Sequence, residues 1–168
     1  KVLNQLGHEV KVLGVLDNIQ KLIKEINSFQ PHCVFNLLEE FNQETQSDYK
    51  VLALLDMLKI KYSGCNPKGL LLARDKALSK KILKYHNIDT PNFYTLPMKK
   101  KRKLPKTMNF PLIVKCLFEE ASYGLAKASI VQNESKLLER VRYIHEKLNQ
   151  DAIIEEFIPG REIYVGVL

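Results

Sequence analysis

The sequence predicts an α/β protein in two parts, a doubly wound parallel part followed by an α+β part, and three observations carry that prediction. Up to about residue 66, apolar runs of strand length alternate with stretches whose apolar residues recur at helical spacing. Past a proline-flanked basic stretch the order changes to strand, loop, strand, helix, strand. The last of these strands opens Ile154-Glu155-Glu156-Phe157-Ile158-Pro159-Gly160-Arg161-Glu162-Ile163, in which an apolar run meets two carboxylates, a Pro-Gly turn, and a third carboxylate that begins another apolar strand.

In the first part, residues 9–15 read as a strand, and Ile19, Leu22, Ile23 and Ile26 fall on one helical face that Pro31 ends. Residues 33–38 are a second, buried strand. A polar loop over 39–46 leads to a helix with Val51, Leu52, Leu54, Leu55 and Leu58 on one side, and 60–62 form a short third strand. In a doubly wound sheet, ligands sit beyond the carboxyl ends of the strands, which places the loop after Leu38 near any site. Asn66 then caps a short helix that has Pro67 at its first position. Asp75 caps another, with Leu78, Ile82 and Tyr85 on its buried side and an end near His86 and Asn87.

Pro91 starts an extended segment through Leu96, and the boundary between the two parts falls near residues 90 to 100. The second part then has strands at 111–116 and 129–132, separated by a loop over 117–127. A helix follows with Leu137, Val141, Ile144 and Leu148 on one face, and then a strand over 152–156.

A chain of 168 residues, 45% of them hydrophobic, can bury a core in one ordinary domain or two small ones. Its apolar runs are short and broken by charge, so neither a membrane span nor a signal sequence is expected. Cys33, Cys65 and Cys116 are odd in number and widely spaced, with no CxxC pair, which fits reduced thiols in a cytoplasmic protein and offers no zinc site. Nearly all of the net charge of +7 lies in one run, Lys99 to Lys103 and Lys106, between Pro97 and Pro105. No aromatics interleave with it as a nucleic-acid surface requires, so it reads as a solvated connection between two strands.

The candidate functional residues are few. Lys115 ends a strand in which alternate side chains are buried, where a lysine must either reach solvent or meet an anion. Lys76 lies in the first turn of its helix, where the helix dipole disfavours a cation and favours a bound anion. The loop from Glu119 to Gly124 could cover phosphates through its N–H groups and Ser122, although its two carboxylates oppose that. Glu155, Glu156 and Glu162 flank the Pro-Gly turn, where side chains and backbone can address both ends of a nucleoside. ATP is the first ligand this pattern suggests.

In this order the pieces resemble the ATP-grasp superfamily, in its D-alanine–D-alanine ligase-like branch. The resemblance rests on Tyr62-Ser63-Gly64, Arg74-Asp75-Lys76-Ala77-Leu78-Ser79-Lys80, Phe110-Pro111-Leu112-Ile113-Val114-Lys115 and the segment from Glu155 to Ile163, and runs over nearly the whole chain. It implies an N-terminally truncated Rossmann-like domain preceding the ATP-grasp fold over residues 1–66, a helical linker carrying Lys76 over 67–97, and the ATP-grasp central subdomain with the start of the C-terminal subdomain from 98 to 168. The C-terminal half of the fold is then expected to be missing. It also implies that Lys76 and Lys115 contact ATP phosphates and that Ser122 belongs to the covering loop. Glu155 is implied to accept from the adenine amino group, backbone at Glu156 and Ile158 to hold the adenine edge, and Glu162 to bond the ribose.

The implied activity is ATP-dependent joining of a carboxylate to an amine, both amino-acid-like, through an acyl phosphate. Magnesium would be held by residues beyond 168, no catalytic or metal-ligating residue would lie within the chain, and residues 1–168 alone would be inactive and self-associating. The chain departs from the family at Glu120-Ala121-Ser122-Tyr123-Gly124, which stands in place of Gly-Ser-Ser-Val-Gly. It departs again at Leu38 to Glu44, where the family has a histidine-glycine loop, and at Cys116, where it has proline. These changes speak against D-alanine as the substrate. The competing reading is a noncatalytic module that binds nucleotide or a partner, with the basic run docking to nucleic acid.

Overall fold

In the computed structural model, which describes residues 1–99, 108–119 and 124–166, the chain divides into two units, Lys1–Leu71 and Leu72–Leu168. The basic run from residue 100 to 106, the loop residues 120–123 with Ser122, and Val167 lie outside the described residues.

The first unit is built on two amphipathic helices. A short α1 (Val2–Gln5) buries nothing. In α2 (Ile19–Phe29), the Asn18 side chain caps the N-terminus by accepting the Lys21 N–H at 2.8 Å, and Gln30 ends the helix in the left-handed region. The apolar faces of α2 and α3 (Asp48–Met57) meet at Leu22, Ile26, Val51, Leu52 and Leu55, and Leu13, Val15, Val34 and Leu38 pack on them from two extended segments.

Those extended segments depart from the expected parallel sheet. Residues 9–15 form no ladder among the described residues, and the other two expected strands meet only at one parallel bridge, Val34 with Tyr62. The expected burial of 33–38 on both faces is also corrected, since Phe35 is 64% and Leu37 80% exposed. Their side chains alternate, so each segment lays one face on α2 and α3 and leaves the other open, and a strand buried on both faces needs a layer on each.

The boundary between the units falls within α4 (Pro67–Arg74), and α5 (Lys76–Tyr85) opens the second unit. The second unit is an antiparallel four-stranded sheet of β1 (Phe93–Leu96), β2 (Leu112–Cys116), β3 (Ile130–Val131) and β4 (Ala152–Glu156), in the order β1-β4-β2-β3. Period-two alternation gives each strand two different faces. Leu96, Leu112, Val114, Cys116, Val131, Ala152 and Ile154 turn to α6 (Glu134–Lys147), whose Leu137, Val141 and Ile144 complete the core as their spacing predicts. Ile153 turns the opposite way and packs with Leu117 and with Ala77 of α5.

Two expectations fail in this unit. On α5 the predicted buried side of Leu78, Ile82 and Tyr85 is not the packed one: Tyr85 is 82% and Leu78 38% exposed, while Ala77 is 5% exposed. The expected strand after Glu162 is absent among the described residues, with Ile163 and Val165 exposed. Both neighbours of β4 are already taken by β1 and β2. The chain keeps one more bond to the sheet, from the Phe157 N–H to the Pro111 carbonyl at 3.1 Å, before Pro159, which has no N–H to offer a ladder.

Candidate functional site

The face of the sheet opposite α6 carries the candidate site. The β2 and β4 register pairs Ile113 with Glu155 and Lys115 with Ile153, which places Lys115 and Glu155 diagonally on one face, within reach of long side chains. Lys115 Nζ donates to Glu155 Oε2 at 3.0 Å. Lys80 of α5 approaches the other carboxylate oxygen, with Nζ 3.5 Å from Oε1. Glu155 is only 4% exposed, and burying a carboxylate is costly unless it is paired, so the two ammonium groups account for its place in the sheet. Two cations around one carboxylate leave a net positive charge on that face, suited to an anion.

The helix α5 is held against this face from its first turn. Asp75 caps it by accepting the Leu78 N–H at 2.9 Å, and the Lys76 N–H reaches the Leu117 carbonyl at 3.4 Å. The Lys76 side chain donates to the carbonyls of Leu117, at 3.4 Å, and Glu119, so it lies at the C-terminal end of β2, the end that carries Lys115. Lys80 follows one helical turn later on the same side. Lys76, Lys115 and Glu155 of this cluster are legible in the sequence, and Lys80 is not. Its signal was the four-residue spacing from Lys76, hidden because a lysine on a helix reads as a solvated surface residue.

The other candidates are less drawn together. Glu156 turns toward the sheet edge, where its Oε2 accepts the Asn92 side-chain N–H at 3.0 Å and its own N–H goes to the Asn92 carbonyl at 3.0 Å. What the Glu156 backbone can offer a ligand is therefore its carbonyl. Ile158 is 66% exposed and Glu162 is exposed, both in the irregular segment after β4, and no described contact ties either to Lys115 or Glu155. Ser122 lies outside the described residues, as do Glu120, Ala121 and Tyr123. At the far end of that loop, Gly124 adopts φ +71° and its carbonyl accepts from the guanidinium of Arg140 on α6. At the near end, the Gln150 side chain donates to Glu119 Oε1 at 2.9 Å.

Beside the site, on the opposite face of β2, burial and the nearby Glu119 carboxylate push the Cys116 thiol above its ordinary pKa. Cys33 and Cys65 are free and exposed. Among the described residues no three His, Cys, Asp or Glu side chains converge as metal ligands. No described helix is long and apolar enough to cross a membrane.

Comparison with known proteins identifies the family. Residues 76–168, which contain β1 to β4 and every residue of the Lys115, Glu155 and Lys80 cluster, match the family model described as D-ala D-ala ligase C-terminus. The uncharacterized protein y4sG of Sinorhizobium fredii is 32% identical over 99% of this chain and 49% of its own length. The D-alanine–D-alanine ligase of Pelagibacter ubique is 33% identical over 89% of this chain and 48% of its own. Among solved structures, the D-alanine–D-alanine ligase of Bacillus anthracis complexed with ATP superposes with a TM-score of 0.67 at 25% identity, covering 84% of this chain and 45% of that one. The chain thus spans about half the length of the curated relatives it matches. With the family model covering more than half of the sequence and a like-folded ligase behind it, the chain belongs to the D-alanine–D-alanine ligase C-terminal family of ATP-grasp ligases.

Proposed function

We propose that this chain supplies the ATP-recognising surface of a carboxylate–amine ligase, with the nucleotide lying against the α5 side of the β1-β4-β2-β3 sheet. The observation that carries the reading is the buried Glu155 carboxylate flanked by Lys115 and Lys80 on a sheet face within the family-matched region. The Bacillus anthracis relative solved with ATP supports the choice of ligand. Lys115 and Lys76, both at the C-terminal end of β2, take the phosphates, and Ser122 contributes from the covering loop. Glu155 accepts from the adenine amino group, the Glu156 carbonyl and the Ile158 N–H line the adenine edge, and Glu162 bonds the ribose hydroxyls. On this reading residues 1–66 form the Rossmann-like domain, 67–97 the linker, and 98–168 the ATP-grasp portion.

The chemistry assigned to the whole protein follows from the inertness of carboxylates toward amines. A substrate carboxylate oxygen attacks the γ-phosphorus of ATP, ADP leaves, and the resulting acyl phosphate is displaced by an amine to give an amide and free phosphate. Phosphoryl transfer depends on positioning and charge neutralisation, which lysines and backbone N–H groups provide without a covalent enzyme intermediate. The two substrates are amino-acid-like. Binding and orienting ATP are the steps that residues 1–168 support, and ligation by residues 1–168 alone is not expected. Magnesium is the metal such ligases are expected to use.

Charge reversal separates a site from general electrostatics. Lys115→Glu is expected to weaken ATP binding by calorimetry at least about tenfold, equivalent to about 1.4 kcal/mol. Lys103→Glu, within the basic run, should leave binding within about twofold of wild type. GTP should bind more weakly than ATP, because a carbonyl replaces the amino group that Glu155 would accept from. Equal ATP affinity in wild type and Lys115→Glu would remove the assignment.

A further inference from the structure

We propose that Lys80 is a positioning residue for adenine recognition, the cation that stays with the Glu155 carboxylate when nucleotide phosphate draws Lys115 away. The inference rests on the site reading above and adds to it the residue that makes adenine selectivity possible. Lys115 and Lys80 divide the carboxylate, one to each oxygen, at 3.0 and 3.5 Å. Lys115 cannot give its full charge to a phosphate and also remain the sole partner of Glu155. Glu155 is 4% exposed, so water cannot take over from the departing ammonium, and a buried carboxylate stripped of its only cation is strongly disfavoured. A second cation removes that conflict.

Lys80 has the placement for that role. Its side chain is 15% exposed against 26% for Lys115, so it is the more enclosed of the two. Its helix is fixed to the sheet by Ala77 packing on Leu117 and Ile153, by the Asp75 cap and by the bond from the Lys76 N–H to the Leu117 carbonyl. Lys80 is thus anchored on α5, while Lys115 sits near the C-terminal end of β2, the end whose following carbonyls, of Leu117 and Glu119, accept from the Lys76 ammonium. The division of labour follows: Lys115 exchanges between carboxylate and phosphate, and Lys80 keeps Glu155 charged, oriented and able to accept the adenine amino hydrogen.

The test uses ATP and inosine triphosphate, which carry the same phosphates and differ at the amino position that Glu155 addresses, with the 168-residue chain and calorimetric affinities. Wild type is expected to prefer ATP about tenfold, as for one matched polar contact against an unmatched one. Lys80→Met should lower ATP affinity with little change for inosine triphosphate, so that the preference falls toward unity. Lys80→Arg, which keeps the charge, should restore most of it, a rescue that a packing role would not produce. Lys80→Gln provides the same comparison if the Met variant does not fold.

An unchanged preference in Lys80→Met or Lys80→Gln, or an equal loss for both nucleotides, would overturn the role of Lys80 while leaving the site intact. Failure of the underlying reading looks different: wild type would bind both nucleotides equally, or Glu155→Gln would keep the wild-type preference, and the assignment of Lys80 would fall with it.

Discussion

At the scale of single residues, the second unit uses buried polar groups where a core alone would use apolar ones. In β4, Glu155 directly follows Ala152, Ile153 and Ile154, all fully buried, and is retained there by two lysines. Replacing such a pair by hydrophobic groups often leaves a fold as stable or more so, and the arrangement therefore makes more sense as recognition than as stabilisation. Gly124 is a second such position. Its φ of +71° lies in the left-handed region, and an added Cβ would come within 2.5 Å of Leu148 Cδ1. The Leu148 side chain can move, but the backbone conformation cannot be relieved while Arg140 holds the Gly124 carbonyl. Gly124→Ala is expected to destabilise the chain by about 1–2 kcal/mol, the cost of a left-handed residue with a side chain. Denaturant midpoints followed by circular dichroism would measure it, and an unchanged midpoint would show that the loop base simply refolds.

At the scale of elements, what could be read from sequence depended on whether a segment's apolar pattern served packing or something else. The strands β2 and β4 and the helix α6 were legible because their apolar residues serve packing: β2 alternates, β4 is buried on both its faces, and α6 keeps helical spacing. The helix α5 was legible in extent and capping but not in orientation. Its inward face carries Lys76, Ala77 and Lys80, so the apolar residues Leu78 and Tyr85 pointed the reading to the wrong side. In the first unit, 33–38 looked like a strand buried on both sides because its apolar residues run consecutively, whereas one of its faces is open. Glu155, Lys115 and Lys76 were found by their order along the chain. Lys80 could be found only once α5 was turned toward the sheet.

The junction after α3 gives a prediction at the same scale. Tyr62, at the one parallel bridge of the first unit, donates its hydroxyl to Asp56 of α3 at 2.7 Å. Burial first, and then the Asp56 carboxylate, push its phenol up to about 12 from an ordinary value of 10.0. The folded chain holds this proton more tightly than the unfolded one, so the stabilisation is fully present below pH 10 and is lost as pH rises toward 12. Tyr62→Phe removes the titrating group. The stability difference between wild type and Tyr62→Phe should therefore be constant up to about pH 10 and shift against wild type above it. Parallel alkaline denaturation curves for the two proteins would contradict the linkage.

For the molecule as a whole, the decisive quantity is the apolar surface left without a covering layer. In the first unit Val12 is 92%, Phe35 64% and Leu37 80% exposed; after β4, Ile163 is 73%, Tyr164 94% and Val165 78% exposed. Apolar side chains clustered along extended backbone are sites of association, because strand edges and uncovered faces pair with whatever matches them. The net charge of +7 opposes this by repulsion between copies, but salt at about 0.15 M screens charges beyond roughly 8 Å and leaves apolar contact unaffected. The chain is therefore expected to sediment as an associating species whose mean mass rises with protein concentration and with salt. Phe35→Lys combined with Leu37→Lys should shift the equilibrium toward monomer if the first unit supplies the contact, and Ile163→Lys with Val165→Lys if the segment after β4 does. A chain that sediments as a monomer across concentration and salt would mean that these apolar groups are exposed without cost, and would contradict the expectation that residues 1–168 self-associate.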